Sequence, residues 1–215
     1  MDSCRCVELV WERWASDRGI DIAPLMKVLH GRKSSETIRA YAPHLDLATE
    51  VATLEKMEAE ETDGVFRVPG AKELVSNLPP GRWAIVTSGT ALVAGARLRL
   101  CDITPPPVFV TADDIREGKP APDCYLMAAS RLGIAPARCV VVEDTTAGIE
   151  AGKSAGMKVI ALTGTCERAA LSAADLIASR LADVCIQQIP SGDLSIAIDE
   201  VPTNEVGKPS SRGGR

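Results

Sequence analysis

From residue 82 onward, short apolar segments alternate with segments that have helical spacing. The predicted strands are 82–88, 107–114, 139–144, 158–164 and 183–189, and the predicted helices are 90–100, 122–132, 146–155 and 167–178. Each strand segment is continuously apolar, which is typical of strands that are buried on both faces. Strands and helices that alternate through short loops predict an α/β fold, a parallel sheet with helices on both faces and right-handed crossovers.

The first 64 residues carry helical patterns alone. Apolar residues from Val7 to Trp14 recur at i, i+3, i+4 and i+7 spacing, and Gly19 provides a stop for this helix. A further helix is predicted from about Asp46, and Gly64 closes it. We therefore expect a small helical unit ahead of the α/β core.

The pattern divides the chain into three parts. The predictions are a helical segment at 1–64, an α/β core at 65–189 and a C-terminal tail at 190–215. The tail loses helical periodicity and ends in GKPSSRGGR, so it is predicted to be largely disordered. Within it, LSIAI (194–198) is a candidate edge strand.

Composition and charge argue against several classes of protein. The chain has 215 residues, a net charge of −5 and scattered Lys and Arg residues, which argues against a nucleic-acid or anionic-membrane partner. No apolar segment approaches the roughly 20 residues of a membrane span, and no secretory signal is visible. Seven cysteines lack paired metal-type spacing, which favours reduced thiols and a cytoplasmic location. We expect a monomer.

Polar residues gather where the predicted strands end. These are Thr87, Ser88 and Gly89 after the first strand, Lys119 after the second, and Glu143 and Asp144 after the third. Ligands bind beyond the carboxyl ends of parallel strands, so these groups are expected to share one site. A hydroxyl, backbone N–H groups and a lysine suit phosphate, and paired carboxylates suit Mg²⁺. Each group alone is compatible with a turn, a helix cap, a surface lysine or a loop acid; the combination favours a site.

Three segments resemble a known family. WAIVTSGT, FVTADDIREGKPAPDCYL and VVVEDTTAGIEAGKSAGMKVIAL resemble motifs two, three and four of the haloacid dehalogenase-like hydrolases. The likeness is to the branch with a helical cap, which contains glycerol-phosphate, 2-deoxyglucose-6-phosphate and other sugar-phosphate phosphatases and β-phosphoglucomutase. It extends from residue 1 to about 188 and implies a Rossmann-like core with residues 1–64 as the cap.

The resemblance implies a role for each of these residues. Thr87, helped by Ser88 and Gly89, would bind the transferring phosphoryl group, and Lys119 would neutralise it together with the nucleophile. Asp144 and Glu143 would hold Mg²⁺. The implied activity is a Mg²⁺-dependent phosphatase of small sugar or polyol phosphates that acts through an aspartyl-phosphate.

The first motif of the family has no counterpart in this sequence. That motif, Asp-x-Asp-Gly-Thr after the first strand, supplies the nucleophile and the general acid and base. This chain begins MDSCRC and enters the cap helix directly, so the first, central strand and both aspartates are expected to be absent. The expected result is an unfilled position between the strands that end at Thr87 and Asp144, and a truncated sequence is one hypothesis for it.

A basic loop in the helical segment is a candidate for substrate selection. His30, Arg32 and Lys33 form its most polar stretch, and in relatives the matching loop closes over the active site. Arg32 or Lys33 could contact substrate hydroxyls or a second phosphate, although a solvated turn has the same composition. His30 has no partner that the sequence identifies.

Other functions fit part of the pattern. A phosphomutase would use the same residues, and a non-catalytic protein could keep the phosphate and metal pocket without the nucleophile. A phospho-accepting receiver module also combines carboxylates, Thr and Lys around Mg²⁺. Its order, with the acids first, disagrees with the order Thr87, Lys119, Glu143 and Asp144 found here.

Overall fold

The helical pattern predicted for the first 64 residues is confirmed. A computed structural model describes residues 1–199, and its first four helices are α1 (Cys4–Asp17), α2 (Ile22–Met26), α3 (Ser34–Tyr41) and α4 (Leu47–Glu60). The side chains of Asp21 and Asp46 cap α2 and α4, each accepting a backbone N–H at 3.0 Å. Gly19 and Gly64 have φ of +65° and +78°, which glycine adopts without strain, and the chain turns there.

The helices of this segment enclose one apolar cluster. Trp14 and Leu54 are fully buried in it, and the rings of Trp11 and Trp14 meet edge to face at 5.4 Å. The Trp14 indole N–H donates to a carboxylate oxygen of Glu50 at 2.8 Å, so the buried ring keeps a polar partner. The boundary at residue 64 stays a prediction.

Helices and strands alternate through the rest of the described chain. They are α5 (Ala71–Asn77), β1 (Ile85–Val86), α6 (Ala91–Leu100), β2 (Phe109–Val110), α7 (Asp123–Leu132), β3 (Val140–Glu143), α8 (Thr146–Ser154), β4 (Lys158–Leu162), β5 (Leu176–Ala178), β6 (Val184–Gln188) and β7 (Leu194–Ile198). Within residues 1–199, every helix is too short or too polar to cross a lipid bilayer.

The predicted parallel α/β architecture is confirmed. β1 pairs with β2 in parallel, and β3, β4 and β5 form a second parallel sheet in that order. In this second sheet Val141 lies opposite Val159, and both side chains are buried in a cluster that α7 and α8 share. The strand predicted at 183–189 is an exception: it forms β6, which pairs antiparallel with β7 and not with the parallel strands.

The helix predicted over 167–178 is wrong. A short 3-10 turn covers Arg168–Leu171, and Leu176–Ala178 is the strand β5. The carboxylate of Asp175 fixes the start of this strand because it accepts the Val159 N–H at 2.8 Å and bonds to two lysines, Lys153 and Lys158. A short apolar run cannot be assigned to helix or strand by its spacing, and pairing with β4 decided this one.

The C-terminal part contains more structure than predicted. The candidate edge strand at 194–198 is confirmed as β7, so ordered structure continues past the expected boundary at residue 189. The remainder of the predicted disordered tail, 200–215, lies outside the described residues.

An unfilled space separates the two parallel sheets. Within residues 1–199, no strand pairs with the free edge of β1 or of β3, and a cavity of about 510 Å³ is lined by both strands, by α7 and by Trp83. Val140 and Val142 line this cavity and are 39% and 37% exposed, although the sequence predicted a buried strand. We call this space the open lane; it lies where a strand was expected to be absent.

The open lane predicts that neighbouring valines of β3 differ in their sensitivity to substitution. Val141→Thr should lower the free energy of unfolding by about 1–3 kcal/mol, because it buries a hydroxyl without a partner. Val142→Thr should change it by less than about 0.5 kcal/mol, because that side chain is 37% exposed. Urea denaturation of the two variants measures the difference. Equal losses would mean that the lane is closed in solution.

Candidate active site

The strand ends converge on one cavity. It has a volume of about 390 Å³ and we call it the site cavity; its lining includes Thr87, Ser88, Gly89, Lys119, Glu143, Asp144, His30 and Arg32. Thr87 to Gly89 follow β1, Lys119 lies in the loop after β2, and Asp144 follows β3. Because parallel strands place their carboxyl ends at the same edge, residues far apart in sequence meet there. The structure thus brings together every predicted site residue except Lys33.

Lys33 lies outside the site cavity. It lines a smaller neighbouring cavity of about 190 Å³, and its ammonium group donates to the Ile115 carbonyl at 2.8 Å. A contact between Lys33 and substrate phosphate is therefore not supported by its position. Arg32 is exposed and borders the site cavity, so it remains the basic side chain of this loop that can reach a substrate.

Glu143 and Lys119 form a buried ion pair, with side chains that are 7% and 6% exposed. The same carboxylate accepts from the Tyr125 hydroxyl at 2.6 Å and from the Thr145 hydroxyl at 3.0 Å. Burial alone would raise the pKa of Glu143, but the Lys119 ammonium and these donors lower it to about 2. Glu143 is thus an ionised group whose two oxygens are taken up by protein donors.

This arrangement differs from the predicted metal role of Glu143. The resemblance implied that the two adjacent acids act as one pair of metal ligands. In the structure, Glu143 holds Lys119 in place, and Asp144 is the acid that borders the cavity without an ammonium partner.

The environment of Asp144 would favour a bound cation beside its carboxylate. It accepts a hydrogen bond from the Thr165 hydroxyl at 2.5 Å. Burial raises the pKa of Asp144, and the negative charge of Glu143 adds to the increase. A cation beside Asp144 would favour its ionised form, which is the arrangement that a metal ligand requires.

The described residues offer few side chains that could bind a metal ion. Within 1–199, no group of three or more His, Cys, Asp or Glu side chains is placed to hold a metal ion. Of the other acids at the site cavity, Asp2 accepts the Cys4 N–H at 3.0 Å and Glu58 lies 3.4 Å from Arg97. Mg²⁺ is commonly held by one or two carboxylates together with phosphate oxygens and water, so Asp144 fits one protein ligand of such a site.

The hydroxyl of Thr87 is available to a ligand. It accepts the Gly89 N–H at 3.1 Å, which leaves its own proton free to donate. The Ser88 hydroxyl instead donates to the Gly31 carbonyl at 2.8 Å and so joins the helical segment to the end of β1. Of the two hydroxyls, Thr87 is the better placed to bind phosphate.

Gly31 lets the helical segment approach the site closely. Its φ is +80°, and a Cβ at this position would lie 2.7 Å from the Thr145 hydroxyl oxygen. Any larger residue would push this loop away from the end of β3. The basic loop is therefore closed over the site cavity, as the resemblance implied.

Four residues of the site were not predicted from the sequence: Cys4, Tyr125, Thr145 and Thr165. Thr165 could have been found, because it follows β4 at the same edge of the sheet. Cys4 lies 3.6 Å from the Thr165 hydroxyl, and burial raises the pKa of its thiol to about 11, so it stays protonated at neutral pH. The acid partner of His30, Glu8 at 3.5 Å, was missed as well.

The chain is similar to known proteins along most of its length. Residues 10–156 match the haloacid dehalogenase-like hydrolase family. The chain is 39% identical over 201 residues to hexitol phosphatase A of Escherichia coli, covering 91% of this chain and 93% of that protein. It is 30% identical over 222 residues to 2-deoxyglucose-6-phosphate phosphatase 2 of Saccharomyces cerevisiae, covering 92% and 90%.

A solved structure shares both fold and sequence features. A putative β-phosphoglucomutase from Bacteroides vulgatus superimposes with a TM-score of 0.67 at 26% identity, over 84% of this chain and 79% of that chain. The family match spans more than half of the sequence, and the curated relatives align along most of their length. This chain belongs to the haloacid dehalogenase-like hydrolase family.

Proposed function

We propose that this chain is built as a Mg²⁺-dependent phosphatase of small sugar or polyol phosphates. The observation that carries the proposal is the meeting of Thr87, Lys119 and Asp144 at one cavity of about 390 Å³. The relatives that match along most of the chain are named as phosphatases of hexitol and deoxyglucose phosphates, which supports this substrate class.

Each of the three residues has a distinct task at the phosphoryl group. The Thr87 hydroxyl donates to a phosphoryl oxygen, and the Lys119 ammonium offsets negative charge that develops during transfer. Asp144 holds the metal, which when bound neutralises phosphate oxygens. Arg32, at the rim, contacts the hydroxyls of the leaving group.

The family mechanism also needs a carboxylate nucleophile. Its place would be the carboxyl end of the open lane, between Thr87 and Asp144. The acids of residues 1–199 that border the site cavity already have other tasks: Asp2 accepts from Cys4, Glu58 faces Arg97, and Glu143 holds Lys119. This observation favours a second candidate, a protein that binds phosphate and metal without hydrolysis.

One pair of measurements separates the candidates. Release of inorganic phosphate is followed with hexitol, glycerol and 2-deoxyglucose phosphates in the presence of Mg²⁺, and binding of orthophosphate with Mg²⁺ is measured by calorimetry. Turnover supports the phosphatase, and formation of an isomeric phosphate without release supports a mutase. Binding without turnover supports the second candidate. If the protein shows neither binding nor turnover, the whole proposal is overturned.

Asp144→Asn is expected to weaken Mg²⁺ binding by at least tenfold, because it removes the ionic ligand. Its free energy of unfolding should change by less than about 1 kcal/mol without metal, because the substitution removes a desolvated charge and keeps an acceptor for Thr165. Calorimetric titration with Mg²⁺ and orthophosphate measures the affinity. Glu150→Gln, which removes an exposed acid from α8, is the matched control and should bind normally. Unchanged metal affinity in Asp144→Asn would remove this residue from the metal site.

A further inference from the structure

The first turn of α3 is joined to the loop that carries Lys119. The carboxylate of Glu36 accepts the backbone N–H of Gly118 at 2.7 Å, and Lys33 donates to the Ile115 carbonyl at 2.8 Å. The two contacts lie on either side of a four-residue segment that ends immediately before Lys119. The helical segment thus bonds directly to the backbone beside the buried ammonium group.

The contact at Gly118 leaves no room for a side chain. A Cβ on Gly118 would lie 2.8 Å from both Lys33 Cγ and a Glu36 carboxylate oxygen, and 2.9 Å from the other oxygen. Gly118 is itself buried. The backbone can therefore approach the carboxylate closely enough for a charge-assisted hydrogen bond, which is shorter and stronger than a neutral one.

Lys119 needs this support more than an ordinary surface lysine does. Its side chain has four rotatable bonds, and its ammonium must meet both the Glu143 carboxylate and the site cavity. A small displacement of the backbone at Gly118 would move the Lys119 Cα and weaken both contacts. The hydrogen bond from the Gly118 N–H to the Glu36 carboxylate holds that backbone against α3.

We propose that Glu36 is a positioning residue: its carboxylate holds the Gly118 N–H and so sets the Lys119 ammonium for phosphate binding. The same bond links the position of the helical segment to the position of the Lys119 ammonium, because Glu36 belongs to α3 and Lys119 to the core. This inference rests on the proposed function, since it concerns the affinity for a phosphoryl group.

The test measures orthophosphate affinity in the presence of Mg²⁺ for four forms of the full chain. These are the wild type, Glu36→Ala, Glu36→Gln and the matched control Glu73→Ala, which removes the first-turn acid of α5. Glu36→Ala should weaken orthophosphate binding about tenfold, because it deletes a hydrogen bond to an ionised acceptor. Glu36→Gln keeps an amide oxygen at the same place and should retain affinity within about threefold. Glu73→Ala should bind as the wild type does.

A double-mutant cycle distinguishes positioning from a general loss of structure. If Glu36 acts through Lys119, Glu36→Ala should have no further effect on orthophosphate affinity in a Lys119→Met background. Hydrogen exchange at the Gly118 amide should also be faster in Glu36→Ala and near normal in Glu36→Gln.

The outcomes separate this inference from the function on which it rests. Wild-type protein that neither binds orthophosphate nor releases phosphate from the tested esters would overturn both. Normal binding by Glu36→Ala, or an equal loss in the presence and absence of the Lys119 side chain, would overturn the positioning role and leave the phosphatase proposal intact.

Discussion

Glu143→Ala is expected to lower the free energy of unfolding by about 3–5 kcal/mol, the cost of leaving one partner of a buried ion pair uncompensated. The substitution strands the Lys119 ammonium, which is 6% exposed, and removes the acceptor of the Tyr125 and Thr145 hydroxyls. Urea denaturation at pH 7 measures the loss. Glu150→Ala, which removes an exposed acid from the following helix, should change stability by less than about 0.5 kcal/mol.

Removing both charges should restore much of this stability. Lys119→Met combined with Glu143→Gln removes both charges of this pair and keeps an amide oxygen for Tyr125. The double variant should therefore be more stable than Glu143→Ala. If it were less stable, the stranded Lys119 ammonium would not be the cause of the loss in Glu143→Ala.

The same pair gives the protein an acid sensitivity with a definite sign. The pKa of Glu143 falls from its ordinary value of 4.5 to about 2 in the folded chain. A lowered pKa contributes stability that is present above pH 4.5 and is lost as the pH falls towards 2. The stability difference between wild type and Glu143→Gln should accordingly shrink over this range, and a constant difference would contradict the ionised pair.

Gly148→Ala is expected to destabilise the protein by about 3 kcal/mol and to abolish orthophosphate binding, because the new methyl group would overlap the carboxylate of Glu143. Gly148 lies in the first turn of α8, and its N–H is capped by the Thr145 hydroxyl at 3.1 Å. Neither the helix nor the carboxylate can move away without disturbing the contact to Lys119. Urea denaturation and calorimetry with orthophosphate measure the two effects.

Gly95→Ala provides the matched control. Gly95 lies inside α6, and an added Cβ would meet the Arg99 guanidinium no closer than 3.6 Å, an ordinary contact. Alanine should therefore stabilise this helix by about 0.5–1 kcal/mol. The same substitution should thus have opposite signs in two helices. Destabilisation of similar size at both positions would mean that the effect at Gly148 is unrelated to Glu143.

The position of the site could be predicted from the sequence because strand order fixes it. Thr87, Lys119 and Asp144 each follow an apolar strand, and parallel strands end at one edge. The prediction needed no knowledge of side-chain contacts. The secondary structure at 167–178 was predicted wrongly, because a short apolar run fits a helix or a strand and only pairing with β4 decides between them.

The different roles of Glu143 and Asp144 were not predicted from the sequence. Along β3, side chains alternate between faces, so Glu143 points to the same side as the buried Val141, where α7 brings Tyr125. Asp144 lies beyond the strand and borders the cavity. This alternation was visible in the sequence, but the donors from α7 and from the Lys119 loop were not.

Lys33 shows a similar limit. The sequence predicted that Lys33 and Arg32 both face the site. In the structure Lys33 precedes α3, and its side chain points towards Ile115. Adjacent residues in a loop point in different directions, and sequence gives no measure of which one faces a ligand.

The placement of the three tryptophans gives the molecule two separate optical reporters. Trp11 and Trp14 share the apolar cluster of the helical segment, and Trp83 lines the open lane. Emission from the Trp11→Phe, Trp14→Phe double variant would come from the indole beside the lane alone. Filling or closing that space would alter its polarity and shift the spectrum, while the wild-type signal also follows the melting of the first four helices.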